Sequence, residues 1–71
     1  MVDKPSGTWD RIAGNWKQFW GDAKAKWGDI TDDEWMEING NREKLEGKIQ
    51  ERYGIAKDDA RRQIDEWERS Y

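Results

Sequence analysis

Residues 14–39 read GNWKQFWGDAKAKWGDITDDEWMEIN and residues 40–65 read GNREKLEGKIQERYGIAKDDARRQID; the two stretches align at an offset of 26 without a gap. Seven of the 26 pairs are identical: Gly14/Gly40, Asn15/Asn41, Gly21/Gly47, Gly28/Gly54, Asp32/Asp58, Asp33/Asp59 and Ile38/Ile64. Chance pairing in this composition gives about two. Phe19/Leu45, Ala23/Ile49 and Trp27/Tyr53 keep apolar character as well. Two readings are open, a true duplication and a coincidence of biased composition, and duplication is favoured. Each copy then reads as a helix, a turn and a second helix: an apolar stripe at helical spacing, an aromatic-Gly pair, and an Asp-Asp start signal. The expected fold is all-α, four short helices forming two helical hairpins with an internal pseudo-repeat of 26 residues.

Working outward from this unit, Trp9, Ile12, Trp16, Phe19, Trp20, Ala23 and Trp27 fall within an arc of about 100° on one helix, the width of a core-facing stripe. Thr8 or Asn15 is placed to cap its start, and Gly28 supplies a left-handed terminal residue. Thr31 with Glu34 three residues on forms a capping box for the second helix, which carries Trp35 and Ile38 inward and stops at Asn39-Gly40-Asn41. A third helix with Leu45, Ile49 and Tyr53 at four-residue spacing ends at Gly54, and a fourth places Ala60, Ile64 and Trp67 on one face. Residues 68–71 are expected to fray. Gly21 and Gly47 sit mid-helix, each at a cost of about 1 kcal/mol relative to alanine, which predicts a packing reason such as a close helix crossing.

The chain holds 71 residues, 41% of them charged, with mean hydropathy −1.35, and so has room for one domain and for no membrane-spanning segment. A chain of this size buries only about 60% of its unfolded surface, and without cysteine its stability rests on the core. Six tryptophans, two tyrosines and one phenylalanine supply it. Histidine and cysteine are both absent, which removes the usual general base, nucleophile and transition-metal ligands. The protein is therefore not expected to be an enzyme, and no catalytic residue, cofactor or metal is assigned. Residues 1–8 read as a flexible leader before one helical domain at 9–71. Met1 to Gly7 carries no apolar stretch, so a cytoplasmic location is the default expectation; separately, the chain is expected to be a monomer.

Net charge is −3, which argues against a nucleic-acid partner. The charge is unevenly spread: residues 9–28 carry Arg11, Lys17, Lys24 and Lys26 against Asp10 and Asp22, a net +2, while residues 29–71 carry 8 basic and 13 acidic side chains, a net −5. Asp32-Asp33 and Asp58-Asp59 are explained as first-turn acids that favour the positive end of a helix. Neither pair belongs to an Asp-x-Asp-x-Asp-Gly loop of the kind that gathers calcium ligands. Gly54-Ile55-Ala56-Lys57-Asp58-Asp59-Ala60 partly resembles the helix-hairpin-helix turn that offers backbone N–H groups to DNA phosphate. Ala56 replaces its second glycine, however, and Asp58 and Asp59 place negative charge where a phosphate sits.

Trp16, Trp27, Trp35 and Trp67 are assigned to the core. Trp20 pairs with Glu46 across the repeat, and Trp9 lies outside the repeated unit. A position held by glutamate in one copy is expected at an edge. Trp9 and Trp20, flanked by Lys17 and Lys24, are thus the candidate partner surface, for an unidentified protein, a membrane interface or self-association.

Gly14-Asn15-Trp16-Lys17-Gln18-Phe19, Trp27-Gly28, Thr31-Asp32-Asp33, the run Gly47-Lys48-Ile49-Gln50-Glu51-Arg52-Tyr53-Gly54 and Asp65-Glu66-Trp67-Glu68 together resemble the small CsbD-like bacterial stress-response proteins over about residues 12–69. The resemblance implies a four-helix domain of two roughly orthogonal hairpins, similar to the sterile-alpha-motif (SAM-like) architecture, and induction in general or osmotic stress. It implies no catalytic site. Trp20 stands where the family pattern has a lysine, and the leader with Trp9 looks like an extension.

Overall fold

The computed structural model describes residues 7–71, which form five helices and no strand: α1 (Gly7–Gly14), α2 (Trp16–Lys26), α3 (Asp32–Ile38), α4 (Arg42–Tyr53) and α5 (Lys57–Glu68). Residues 1–6 of the expected leader lie outside the described residues, whereas Gly7 and Thr8 already belong to α1. The expected four helices become five because the first is broken at Asn15 (φ −123°, ψ 41°). Asparagine competes for backbone groups with its own amide. Here the Asn15 side chain donates back to the Arg11 carbonyl at 3.1 Å, while the Asn15 carbonyl accepts from Gln18 and Phe19 and so starts α2. The side chain therefore closes the end of α1 and leaves the α2 N–H groups uncapped.

The other helix ends follow local chemistry. Thr31 Oγ1 accepts from the Glu34 N–H at 3.2 Å and the Glu34 carboxylate accepts from the Thr31 N–H at 3.0 Å, completing the capping box. Asn39 (φ 48°) and Gly40 (φ 79°) turn the chain out of α3. Gly40 is needed twice over, because a Cβ there would lie 3.0 Å from the Ala13 backbone where α1 crosses the turn. Gly54 (φ 62°) closes α4 in the left-handed form. Gly28 does not act this way: the α2 cap falls on Trp27, and the chain leaves through a turn closed by Ile30 N–H donating to the Trp27 carbonyl. The C-terminal residues are held rather than frayed. The Tyr71 ring packs edge-on against Phe19 and Trp67 at 5.0 and 5.4 Å, and its hydroxyl donates to Asp22 at 2.8 Å.

The core is a chain of indoles filled in by aliphatic side chains. Trp9, Trp16, Trp27, Trp35 and Trp67 are buried together with Ile12, Ala23, Ile30, Ile38, Leu45, Ile49, Ala60 and Ile64. Neighbouring rings meet at 5.7–6.3 Å between centroids, tilted or edge-on, as their quadrupoles prefer. Three indole N–H groups find acceptors: Trp9 on the Gly40 carbonyl, Trp16 on the Trp35 carbonyl and Trp27 on the Gln63 side chain. The buried Trp35 N–H has no partner among the described residues.

Tyr53, expected inward, is exposed instead, with its hydroxyl accepting from the Asp29 N–H at 3.1 Å. Gly21 and Gly47 also depart from expectation, since a Cβ at either meets nothing within 4 Å. No helix crossing explains them. Gly21→Ala and Gly47→Ala are therefore each expected to stabilise the domain, by up to about 1 kcal/mol, read as a higher urea midpoint at unchanged slope.

Candidate functional site

Lys17, Trp20 and Lys24 follow one another at i, i+3 and i+7 along α2 and so share one side of that helix. Trp20 packs against the core but stays partly exposed, and Lys17 is exposed. Lys24 has its charge matched within the chain by Asp32 at 2.5 Å, a pair that ties α2 to the first turn of α3. Trp9 is not part of this surface. It is 8% exposed, because the break at Asn15 frees α1 from the α2 axis and lets the indole reach Gly40, Trp16 and Trp67. Of the four residues expected to form a partner surface, α2 thus presents Trp20 and Lys17 together, with Lys24 beside them already paired.

Glu46, the partner of Trp20 across the repeat and expected at an edge, is instead only 5% exposed. Its carboxylate lies 3.9 Å from Arg42 and 3.7 Å from Arg61, both through Nε. Charge can be buried when it is paired. Arg42 is the centre of this cluster: Nη1 donates to Glu68 at 2.9 Å, Nη2 pairs with Asp65, and the guanidinium lies 5.3 Å over the Trp9 ring. Burial opposes the charge on Arg42, yet the hydrogen bonds to Glu68 and Asp65 outweigh it and raise its pKa. The i,i+4 spacing of Arg42 and Glu46 was a signal in the sequence; their burial was not, because it depends on α1 and α5 arriving from far along the chain.

A second charged cluster joins α3 to α4. Glu34 accepts from Arg52 at 2.7 Å and lies 3.5 Å from Lys48, which also pairs with Glu37 at 3.1 Å. The Arg52 hydrogen bond, then the Thr31 N–H, lower the Glu34 pKa from 4.5 to about 2. With the folded value below the unfolded one, this contribution to stability is complete above pH 4.5 and is lost as pH falls through 2. The thermal midpoint of the wild type is expected to drop across that window. Glu34→Gln is expected to start lower at pH 7 and drop less, as followed by circular dichroism.

Beside this cluster, Glu37 and Ile38 of α3 and Lys44, Gly47, Lys48 and Glu51 of α4 line an open depression of about 380 Å³. Gly47 leaves its wall without a side chain. Among the described residues no group of three or more metal-ligating side chains converges, and no helix is long and apolar enough to cross a membrane. The Gly54–Ala56 turn joins α4 to α5, with Asp58 and Asp59 in the first turn of α5.

Residues 10–62 match the family described as CsbD-like. The chain belongs to the CsbD-like family. This is not a known enzyme family. Its relatives include the UPF0337 protein YjbJ of Escherichia coli O6:H1, 52% identical over 42 residues that cover 59% of this chain and 61% of that one. A UPF0337 protein of Bordetella pertussis is 53% identical over 38 residues, covering 54% of this chain and 58% of that one. A UPF0337 protein of Pectobacterium atrosepticum is 51% identical over 39 residues, covering 55% and 56%. The match thus spans under two thirds of the length of these relatives. No solved structure matches the chain. Within this CsbD-like chain, Lys17, Trp20, Arg42, Glu46 and the α3–α4 depression all fall inside the matched residues, whereas Trp9, Trp67 and Tyr71 fall outside them.

Proposed function

We propose that this chain is a non-enzymatic bacterial stress-response protein of the CsbD-like type, located in the cytoplasm, that acts by binding a protein surface through the Trp20 side of α2. Membership of the CsbD-like family supports the stress-response role. The observation that carries the binding role is that Trp20 is the one indole of six left out of the buried set. Tryptophan is enriched among the residues that dominate affinity at protein contacts. A net charge of −3 disfavours anionic lipid or nucleic acid as the partner. The fold presenting this surface is read as two roughly orthogonal, SAM-like hairpins related by the 26-residue repeat. That reading is supported by α2 and α3 falling, after a shift of 26, on α4 and α5.

Acrylamide quenching of wild type and Trp20→Phe tests the surface. Removing Trp20 is expected to abolish the most quenchable, red-shifted part of the emission. If the variant is quenched as the wild type is, Trp20 is not a contact surface. Anionic vesicles are expected to leave the wild-type emission unchanged, and a blue shift on adding them would identify a lipid surface as the target instead.

A further inference from the structure

We infer that Tyr71 is a latch that opens while the helices stay folded, and that it closes a site for a tyrosine side chain built from Phe19, Asp22 and Trp67. Three observations lead to it. The first is how lightly the latch is held. Helix α5 ends at Glu68, and beyond the cap residue Arg69 the backbone is tied by one bond from Ser70 N–H to the Trp67 carbonyl and one from Tyr71 N–H to the Glu68 carbonyl, each at 3.1 Å. Arg69, Ser70 and Tyr71 are all exposed, so water replaces these bonds at little cost when the segment opens. What fixes it to the body of the domain is the Tyr71 side chain, edge-on to Phe19 and Trp67 at 5.0 and 5.4 Å and bonded through its hydroxyl to Asp22.

The second observation is that the surface beneath is held by other contacts. Trp67 is buried and lies 6.3 and 5.7 Å from the Trp9 and Trp27 rings. Phe19 packs on the core from α2, with Asp22 three residues along the same side of that helix. The third is the chemistry of this set. Two aromatic rings meet the phenol edge-on, as ring quadrupoles prefer, and a carboxylate accepts from its hydroxyl in a charge-assisted bond. Among the described residues Asp22 enters no ion pair, so its carboxylate is committed to that hydroxyl alone. Burial, then the Asp22 carboxylate, raise the Tyr71 pKa above its ordinary value, and the hydroxyl stays a donor at neutral pH. Tyr71 thus serves as an internal ligand, and the group that replaces it when the latch opens is a tyrosine of a partner protein. Phe19 and Asp22 flank the buried stripe of α2 on one side and Trp20 with Lys17 on the other, so this site is separate from the Trp20 surface and is tested independently of it.

Titration of the full chain with p-cresol, which is the tyrosine side chain alone, tests the inference by nuclear magnetic resonance. Tyr71→Ala is expected to keep its helical circular dichroism and to bind p-cresol in the millimolar range, with the Phe19 ring and Trp67 indole signals moving. The wild type is expected to bind at the same signals about tenfold more weakly, because its own phenol occupies the site most of the time. Tyr71→Phe, which keeps the ring but loses the bond to Asp22, is expected to fall between them. Toluene, which lacks the hydroxyl, is expected to bind Tyr71→Ala about threefold more weakly than p-cresol. In native-state hydrogen exchange, the Ser70 and Tyr71 amides are expected to exchange at rates that low urea leaves unchanged while exchange of Ile64 rises, since opening the latch exposes little surface. A Tyr71→Ala chain without its helices makes Tyr71 part of the core and overturns the latch, as does exchange of Ser70 and Tyr71 that rises with that of Ile64. A folded Tyr71→Ala chain whose Phe19 and Trp67 signals ignore p-cresol overturns the site, and wild type that binds as tightly as Tyr71→Ala shows that Tyr71 does not close it.

Discussion

Trp35→Ala is expected to leave the domain largely unfolded at 25 °C. The Trp35 side chain is wholly buried and bridges two others, with its ring 5.7 Å from Trp16 and 6.3 Å from Trp27. Truncating a buried tryptophan to alanine costs about 3–5 kcal/mol, and a core in a chain of this length supplies only about 3–5 kcal/mol in total. The cost and the reserve are of one size, so the folded fraction collapses. Loss of the near-ultraviolet circular dichroism signal together with most of the helical signal reads the outcome; a cooperative melt close to wild type would refute it. A gentler pair of variants separates volume from hydrogen bonding. Trp16→Phe removes the N–H that bonds the Trp35 carbonyl at 2.6 Å and leaves that buried oxygen without it. Trp35→Phe removes an N–H that has no acceptor among the described residues. Trp16→Phe is therefore expected to be the costlier, by about 1 kcal/mol, in urea titrations of both variants.

The core was legible because helical periodicity and indole chemistry act over short distances. Trp16, Trp27, Trp35, Ile38, Leu45, Ile49, Ala60, Ile64 and Trp67 fall where the 3.6-residue period puts them. The Thr31–Glu34 capping box needs no more than four adjacent residues. Asn15 shows where that reasoning stops: an unbroken apolar stripe from Trp9 to Trp27 concealed a helix end set by a single amide, while the exposure expected of Trp9 came from its place outside the repeat and is corrected by its burial. Tyr53 repeats the helical period of Leu45 and Ile49 but has a hydroxyl, and the Asp29 N–H holds it at the surface. Glu46 failed in the opposite sense, since burial of a carboxylate depends on Arg42 and on Arg61, fifteen positions away. Of the candidate surface, Trp20 and Lys17 were readable from the α2 pattern. The depression needs α3 beside α4 and had no local signature beyond a glycine whose purpose was unassigned.

Arg42 is expected to be the charged residue whose loss costs most, because three helices meet at its guanidinium. It stands at the start of α4, accepts the face of Trp9 from α1, and binds Asp65 and Glu68 of α5 while Glu46 lies one turn along its own helix. Arg42→Met keeps an apolar stem for Trp9 but leaves Glu68 with 15% and Glu46 with 7% of their side-chain surface exposed and fewer cations beside them. Removing one partner of a fully buried pair costs about 3–5 kcal/mol. Asp65 is half exposed, and Arg61 stays 3.7 Å from Glu46, which places this variant at about 2–4 kcal/mol. Arg42→Lys is expected to fall between the two, since an ammonium keeps the charge but cannot reach two carboxylates with a planar fork. If stranded carboxylates are the main cost, Arg42→Met combined with Glu46→Met will recover part of the loss, as a positive coupling in the double-mutant cycle. Equal and additive losses would instead assign the cost to the stacking of Arg42 on Trp9, and an Arg42→Met variant within about 0.5 kcal/mol of wild type would show that α1 and α5 are held by the indoles alone.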